Sequence, residues 1–285
     1  MYQVTKYPHG TFCWAELQSS DQAAATAFFQ ALMGWELNAL PLGEYGFYNM
    51  MMQDGLPITA IASMPADLPE GSNWYTHLLQ FTPLAEGADK PQLPPSMWAN
   101  YISVDSVDAL VEKVKEHGGT ILEGPFDVME EGRQLTVQDP SGAIISFWEA
   151  RNHIGARLVN TVGAMLWNEL LTREPEKAMA FYGAVLGWTF QKEEGREMWQ
   201  IANGNRPNGT ILKIQENWAK IPPMWQVYFT VANLDTALEK TVELGGKIYM
   251  GKTGVPNVGE FGFVADPSGA SVYVMEAAQP QPWEE

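Results

Sequence analysis

Two long stretches of this chain occur twice, and that duplication restricts the fold more than any other feature of the sequence. Residues 10–35 align without gaps to residues 163–188 at an offset of 153. Trp14-Ala15-Glu16-Leu17 meets Trp167-Asn168-Glu169-Leu170, Ala27-Phe28-Phe29 meets Ala180-Phe181-Tyr182, and Gly34-Trp35 meets Gly187-Trp188. Residues 98–150 align to residues 225–277 at an offset of 127. This second block pairs Gly118-Gly119 with Gly245-Gly246, Asp139-Pro140-Ser141-Gly142-Ala143 with Asp266-Pro267-Ser268-Gly269-Ala270, and Glu149-Ala150 with Glu276-Ala277. The first half therefore carries 26 extra residues (153 − 127) between Trp35 and Trp98, including Pro91-Gln92-Leu93-Pro94-Pro95. At roughly 100–200 residues per domain, the 285 residues divide into two copies of one domain. The expected limits are 1–151, with the insertion within about 62–96, and 160–280.

Each block reads as a strand, a helix, then further strands. Ser19-Ser20-Asp21 opens a helix that Gly34 stops, and Pro175 sits in the first turn of its counterpart, where proline is tolerated. In the later block Ser106 and Asn233 stand at helix starts, and the Gly-Gly pairs end those helices. His117 precedes the first pair, where a cation suits the helix dipole. Asp139-Pro140-Ser141-Gly142 is a tight turn between strands. The pattern is α+β, four βαβββ-like units in all, with helices on one sheet face.

Period-2 alternation assigns the faces. Trp225, Val227, Phe229 and Val231 share an apolar face that belongs under a helix; Gln226, Tyr228 and Thr230 share the other. The first copy places Ala99, Tyr101 and Ser103 on that second face. Ser146 and Trp148, their counterparts Tyr273 and Met275, and the strand pairs Trp14/Glu16 and Trp167/Glu169 join it.

Net charge limits the partners. With 34 acidic against 17 basic residues the formal charge is −17, which repels phosphate backbones and anionic lipid, so neither nucleic acid nor membrane is expected. No apolar run approaches the ~18 residues of a membrane span, and residues 1–8 lack a signal-peptide core. Cys13 is the only cysteine, which leaves no internal disulfide and no cysteine metal cage. A cytoplasmic protein is expected.

Four βαβββ units, Phe-Phe or Phe-Tyr followed by Gly-Trp at a helix end, and Asp-Pro-Ser-Gly before the last strand resemble the vicinal oxygen chelate (glyoxalase/bleomycin-resistance/dioxygenase) superfamily. The resemblance implies paired modules that form curved mixed sheets around a cavity. It also implies a divalent metal held there by His, Gln or Glu, which polarises vicinal oxygens of the substrate. Carried over by distance from the motifs, the ligand positions fall on Trp14, Ala99 and Ser146 in one copy and on Trp167, Gln226 and Tyr273 in the other. Only Gln226 could bind a metal, so the usual donor set is missing, no metal ligand is assigned, and any cofactor is unknown.

Other residues carry the functional expectations. Glu16 and Glu169 recur two residues after a tryptophan on the inferred cavity face; a carboxylate against an aromatic wall can act as a general base, or it can simply be solvated or paired with a base such as Arg133. Trp14, Tyr101, Trp148, Trp167, Tyr228 and Tyr273 point the same way, joined by the polar Ser146 and Gln226, and either line a ligand pocket or fill it as core. One of His9 and His77 could close over a pocket with Glu16, and His153 reads as a solvated linker residue. Glu149 and Glu276 fall on the opposite face and read as surface. Two function classes follow. One is a glyoxalase-like protein that binds a small, partly aromatic or hydrophobic molecule, as bleomycin-resistance-type members do. The other is a lyase, isomerase or dioxygenase with an atypical metal or carboxylate-base site. Since one chain holds all four units, a monomer completes its own cavities; a homodimer is equally admissible.

Overall fold

The structure, a computed structural model, describes residues 3–43, 46–64, 96–218 and 221–279. The chain order in the first half is β1 (Thr11–Ser19), α1 (Gln22–Met33), β2 (Glu36–Pro41), β3 (Phe47–Gln53), β4 (Leu56–Ser63), β5 (Met97–Ser103), α2 (Val111–Glu116), β6 (Thr120–Val128), β7 (Gly132–Gln138) and β8 (Ile144–Ala150). The second half repeats it with β9 (Met165–Thr172), α3 (Pro175–Leu186), β10 (Thr189–Lys192), β11 (Met198–Asn203), β12 (Arg206–Lys213), β13 (Met224–Thr230), α4 (Leu234–Glu243), β14 (Lys247–Val255), β15 (Gly259–Ala265) and β16 (Ser271–Ala277). Among the described residues each half forms one eight-stranded mixed sheet, in the orders β2-β3-β4-β1-β5-β8-β7-β6 and β10-β11-β12-β9-β13-β16-β15-β14. Two βαβββ units thus join edge to edge, β1 antiparallel to β5 and β9 antiparallel to β13. The α+β tandem duplication expected from sequence is the observed architecture.

Local chemistry sets the helix ends. The Asp21 carboxylate accepts from Ala24 N at 3.0 Å, and Gly34 closes α1 in the left-handed region at φ 77°. Pro175 begins α3, and the Asn233 side chain accepts from Thr236 N at 2.8 Å at the start of α4. α2 is shorter because its first turn, Asp108–Leu110, winds as a 3-10 turn; Ser106 accepts from Ala109 N at 3.4 Å there. Glu149 and Glu276 are structural rather than surface residues. Their carboxylates accept from Val107 N at 3.0 Å and Leu234 N at 2.8 Å, so each strand-end glutamate holds a helix N-terminus, where negative charge is favoured.

The helix-bearing faces of the two sheets bury each other. Phe12 of β1 packs on Trp225 of β13 with ring centroids 4.9 Å apart, and Trp98 of β5 packs on Phe229 of β13 at 5.1 Å. The duplicated Gly-Trp pairs clasp this interface reciprocally. Trp35 Nε1 donates to Gly163 O at 2.7 Å, and Trp188 Nε1 donates to Gly10 O at 2.8 Å. The Gly-Gly pairs have a second use beyond stopping helices. A Cβ on Gly119 would lie 2.7 Å from the Phe181 ring, and one on Gly246 2.7 Å from Phe28, so these glycines admit the other half's helix. The connector is also packed: Ala156 N donates to Cys13 O at 2.8 Å, and Ala156 and Leu158 are fully buried.

One polar chain breaks the pseudo-symmetry. Trp225 Nε1 donates to Tyr182 Oη at 2.8 Å, and Tyr182 donates to Asp139 Oδ2 at 2.9 Å, linking the first half's turn to the second half's helix. The counterparts are Trp98, Phe29 and Asp266. Phe29 has no hydroxyl, and Trp98 Nε1 is buried without a partner among the described residues. The ring pairs otherwise match, Phe29–Trp98 at 5.4 Å and 81° and Tyr182–Trp225 at 5.5 Å and 80°. Tyr182→Phe is expected to cost about 1–3 kcal/mol by orphaning two buried groups, whereas Phe29→Tyr should hold stability or raise it by up to about 1 kcal/mol. Urea unfolding of both variants checks this; a loss in Phe29→Tyr as large as that in Tyr182→Phe would contradict it.

Candidate functional site

The sheet faces opposite the helices are where the two halves part company. In the first half, strand register sets a row Trp14–Tyr101–Ser146–Thr136–Glu123 across β1, β5, β8, β7 and β6. In the second, the same row reads Trp167–Tyr228–Tyr273–Phe263–Met250. Large side chains close the second row. Tyr228 stacks on Tyr273 at 4.2 Å and 6°, and Phe263 lies 4.5 Å from Tyr273. Small and polar side chains leave the first row open, and a cavity of about 250 Å³ lies over it. Tyr101, Glu123, Gln134, Thr136, Ser146 and Gln18 form its wall on this side, and residues 222–226 close it from the second half. Gln134 Nε2 donates to Thr136 Oγ1 at 3.0 Å, and Thr136 and Ser146 hydroxyls share a bond of 2.9 Å.

The structure thus brings Tyr101, Ser146 and Gln226 to one cavity. Trp148 is buried beside it rather than on its wall, and its Nε1 donates to His153 O at 2.7 Å. Trp14 is buried against the His153 ring, with centroids 4.6 Å apart. His153 is therefore not a solvated linker residue. Its Nε2 is buried, and burial lowers its pKa to about 4. Trp167 donates to Thr210 Oγ1 at 3.2 Å and borders a different, polar cleft with Asn203 and Asn208. Tyr228 and Tyr273 fill space rather than line it. His9 accepts from Asp105 N at 3.1 Å, away from Glu16, and His77 lies outside the described residues. Arg133 does not pair with Glu16; it bonds Asp108 at 2.8 Å and Asp127 at 2.9 Å near the surface.

Glu16 and Glu169 are both buried, and neither pairs with a Lys or Arg among the described residues. Glu16 accepts from Tyr48 Oη at 2.6 Å and from Gln18 Nε2 at 3.4 Å. Glu169 accepts from Tyr228 Oη and from Thr210 Oγ1, each at 3.0 Å. Burial raises both pKa values, and these hydrogen bonds offset part of the rise. Gln18, not Glu16, reaches the cavity wall.

A family-type metal does not fit these residues. Of the six carried-over positions, Trp14, Ala99 and Trp167 offer no metal-donor atom, the Ser146 hydroxyl and the Tyr273 phenol are already engaged, and Gln226 Nε2 contacts Met224 Sδ at 2.7 Å. Among the described residues no three His, Cys, Asp or Glu side chains cluster as a metal site would need. Sequence reasoning missed Glu123, Gln134 and Thr136; reading the 127-residue offset through β6 and β7 exposes them, because their counterparts in the second copy are the bulky Met250, Phe261 and Phe263.

Comparison with known proteins fits this geometry. Residues 11–147 and 157–274 match the Glyoxalase/Bleomycin resistance protein/Dioxygenase superfamily, and the chain belongs to that superfamily. It is 36% identical over 285 residues to "Putative glyoxylase CFP32" of Mycobacterium tuberculosis, covering 99% of this chain and 100% of that one. It is 29% identical to "Anthracycline biosynthesis protein DnrV" of Streptomyces peucetius, with 98% of each chain covered. Its fold is similar to the Mn(II)-bound glyoxalase of Novosphingobium aromaticivorans (TM-score 0.62, 14% identity, 99% of this chain and 87% of that one). It is also similar to 2,2',3-trihydroxybiphenyl 1,2-dioxygenase of Sphingomonas wittichii (TM-score 0.61, 12% identity, 95% and 92%). No helix among the described residues is long and apolar enough to cross a membrane.

The pKa directions give an expected pH response. A carboxyl whose pKa rises on folding binds its proton more tightly in the native state, so its contribution falls away as pH climbs from the unfolded value through the folded one. Glu169 should therefore make the protein less stable toward neutral and alkaline pH, and Glu169→Gln should flatten that decline. His153 works from the other side, since its lowered pKa costs stability as pH falls from ~6.5 toward about 4. Urea midpoints from pH 4 to 8 test both; an unchanged alkaline slope in Glu169→Gln would refute the assignment to Glu169.

Proposed function

We propose that the protein binds a small, partly aromatic or hydrophobic organic molecule in the cavity of its first half, while the second half serves as a filled support. The observation behind this reading is the row substitution: Ser146, Thr136 and Glu123 stand where Tyr273, Phe263 and Met250 close the other copy. A mostly apolar cavity with a few hydrogen-bonding groups is the usual make-up of a small-molecule site. Relatives named for glyoxylase and for anthracycline biosynthesis are in keeping with a small organic occupant.

Glu16 favours a second reading, a lyase or isomerase with a carboxylate base. Its raised pKa and its bond to Gln18, a cavity-wall residue, are the reasons to consider it. On that reading Glu16→Gln would cut turnover by roughly 10²–10⁴-fold while leaving ligand affinity in place.

Copying the second half into the first tests the binding reading. Thr136→Phe with Ser146→Tyr, and Ser146→Tyr alone, should fold with unfolding midpoints close to the parent. The neutral probe 1-naphthylmethanol should bind the parent at one site by calorimetry and at least about tenfold more weakly in the double variant, since a filled pocket loses most of its buried contact. Equal affinity in a folded double variant would remove this cavity as the site.

A further inference from the structure

The cavity's polar groups are unbalanced in a way that specifies its occupant. Among the described residues Glu123 is the only carboxylic acid on its wall, and no Lys, Arg or His accompanies it. It makes no ion pair with the described basic residues. Two further wall residues leave acceptors unused. Gln18 Oε1 and Asn100 Oδ1 are buried without a donor among the described residues, although their amide nitrogens bond Glu16 and Trp225 O. Asn100 is 2% exposed, so its oxygen has no solvent to turn to. Both oxygens are closed to solvent, so the Glu123 carboxylate is the charged acceptor that an occupant meets. An anionic occupant would meet the Glu123 carboxylate with no cation to offset it, in a protein of charge −17.

Resting on the binding reading above, we propose that this cavity selects a cationic amine with an aromatic or apolar body, its ammonium directed to Glu123 and its ring against Tyr101. An ammonium is all donor and no acceptor, the complement of this wall. The ring body meets the phenol face of Tyr101, and the apolar floor comes from Ala99, Ile144 and Met224.

Three matched probes test it by calorimetry on the full chain at low salt: 1-naphthylmethylamine, neutral 1-naphthylmethanol and anionic 1-naphthoate. The amine should bind at least about fivefold tighter than the alcohol, a range suited to a partly exposed charge pair, and the carboxylate most weakly. Glu123→Gln should abolish the amine preference and leave alcohol affinity unchanged. Glu112→Gln, an exposed acid on α2 outside the cavity, should leave the preference intact, which separates local recognition from the overall negative field. Equal binding of amine and alcohol, or a preference that survives Glu123→Gln, overturns the proposal and leaves the cavity reading standing. A preference lost equally in Glu112→Gln overturns it as well. Failure of all three probes to bind overturns both.

Discussion

Two indole N–H groups hold this molecule to a single geometry. Trp35 reaches across to Gly163 O, and Trp188 reaches back to Gly10 O. Both glycines sit at positive φ, 86° and 79°, a conformation other residues adopt only under strain. Each tryptophan also stacks on the ring two turns earlier in its own helix, Phe29 or Tyr182. The helix end, the turn before the other half's first strand and the ring packing therefore form one unit, used twice. Because the two uses are reciprocal, neither half presents its helix face to solvent. Among the described residues, 54 buried apolar side chains, Phe12, Trp98 and Trp225 included, form one continuous core across both halves, so the halves are expected to unfold together rather than separately.

That shared core is what frees the opposite faces. A sheet needs one face buried to be stable, and here the partner half covers it. The remaining face in each half is then open to change without loss of the core. The second half uses the freedom to pack Tyr228, Tyr273, Phe261 and Phe263 into a ring cluster. The first half keeps hydroxyl and amide groups at the matching positions. Duplication thus supplies a rigid frame from one copy and an accessible surface from the other, the arrangement expected where a site sits on rigid strands rather than on loops.

Much of the architecture was legible from the repeat and from period-2 alternation. Helix stops at Gly34 and Gly187, caps at Asp21 and Asn233, and the faces of β13 all follow from local chemistry that needs no tertiary information. The cavity wall was less legible. In β6 the register shifts between Ile121 and Glu123 and again between Glu123 and Phe126, so counting by twos along that strand cannot place Glu123. His153 was misplaced for a related reason: the connector has no periodicity, and only its packing on Trp14 and Trp148 reveals its burial. Period-2 counting puts Glu149 and Glu276 at the surface because their partners, backbone N–H groups of the preceding helix starts, lie 42 residues earlier in the chain.

The duplicated glutamates show why a perturbed carboxyl alone is weak evidence for catalysis. Glu16 and Glu169 occupy the same strand position, and burial raises both pKa values. Yet Glu169 stands beneath a row that is filled by its own side chains, with two hydroxyls already on its carboxyl oxygens. Burying a carboxyl costs less when its oxygens are bonded, and Glu169 meets that condition without any substrate. Glu16 has one strong phenol donor and one long amide contact, 2.6 and 3.4 Å, and so is the less completely satisfied of the pair. What separates the two is therefore neither burial nor pKa direction but access: Gln18 connects Glu16 to a cavity, whereas the phenol bonded to Glu169, Tyr228, is stacked on Tyr273. That difference follows from the row of Ser146, Thr136 and Glu123, where the other copy carries the bulkier Tyr273, Phe263 and Met250.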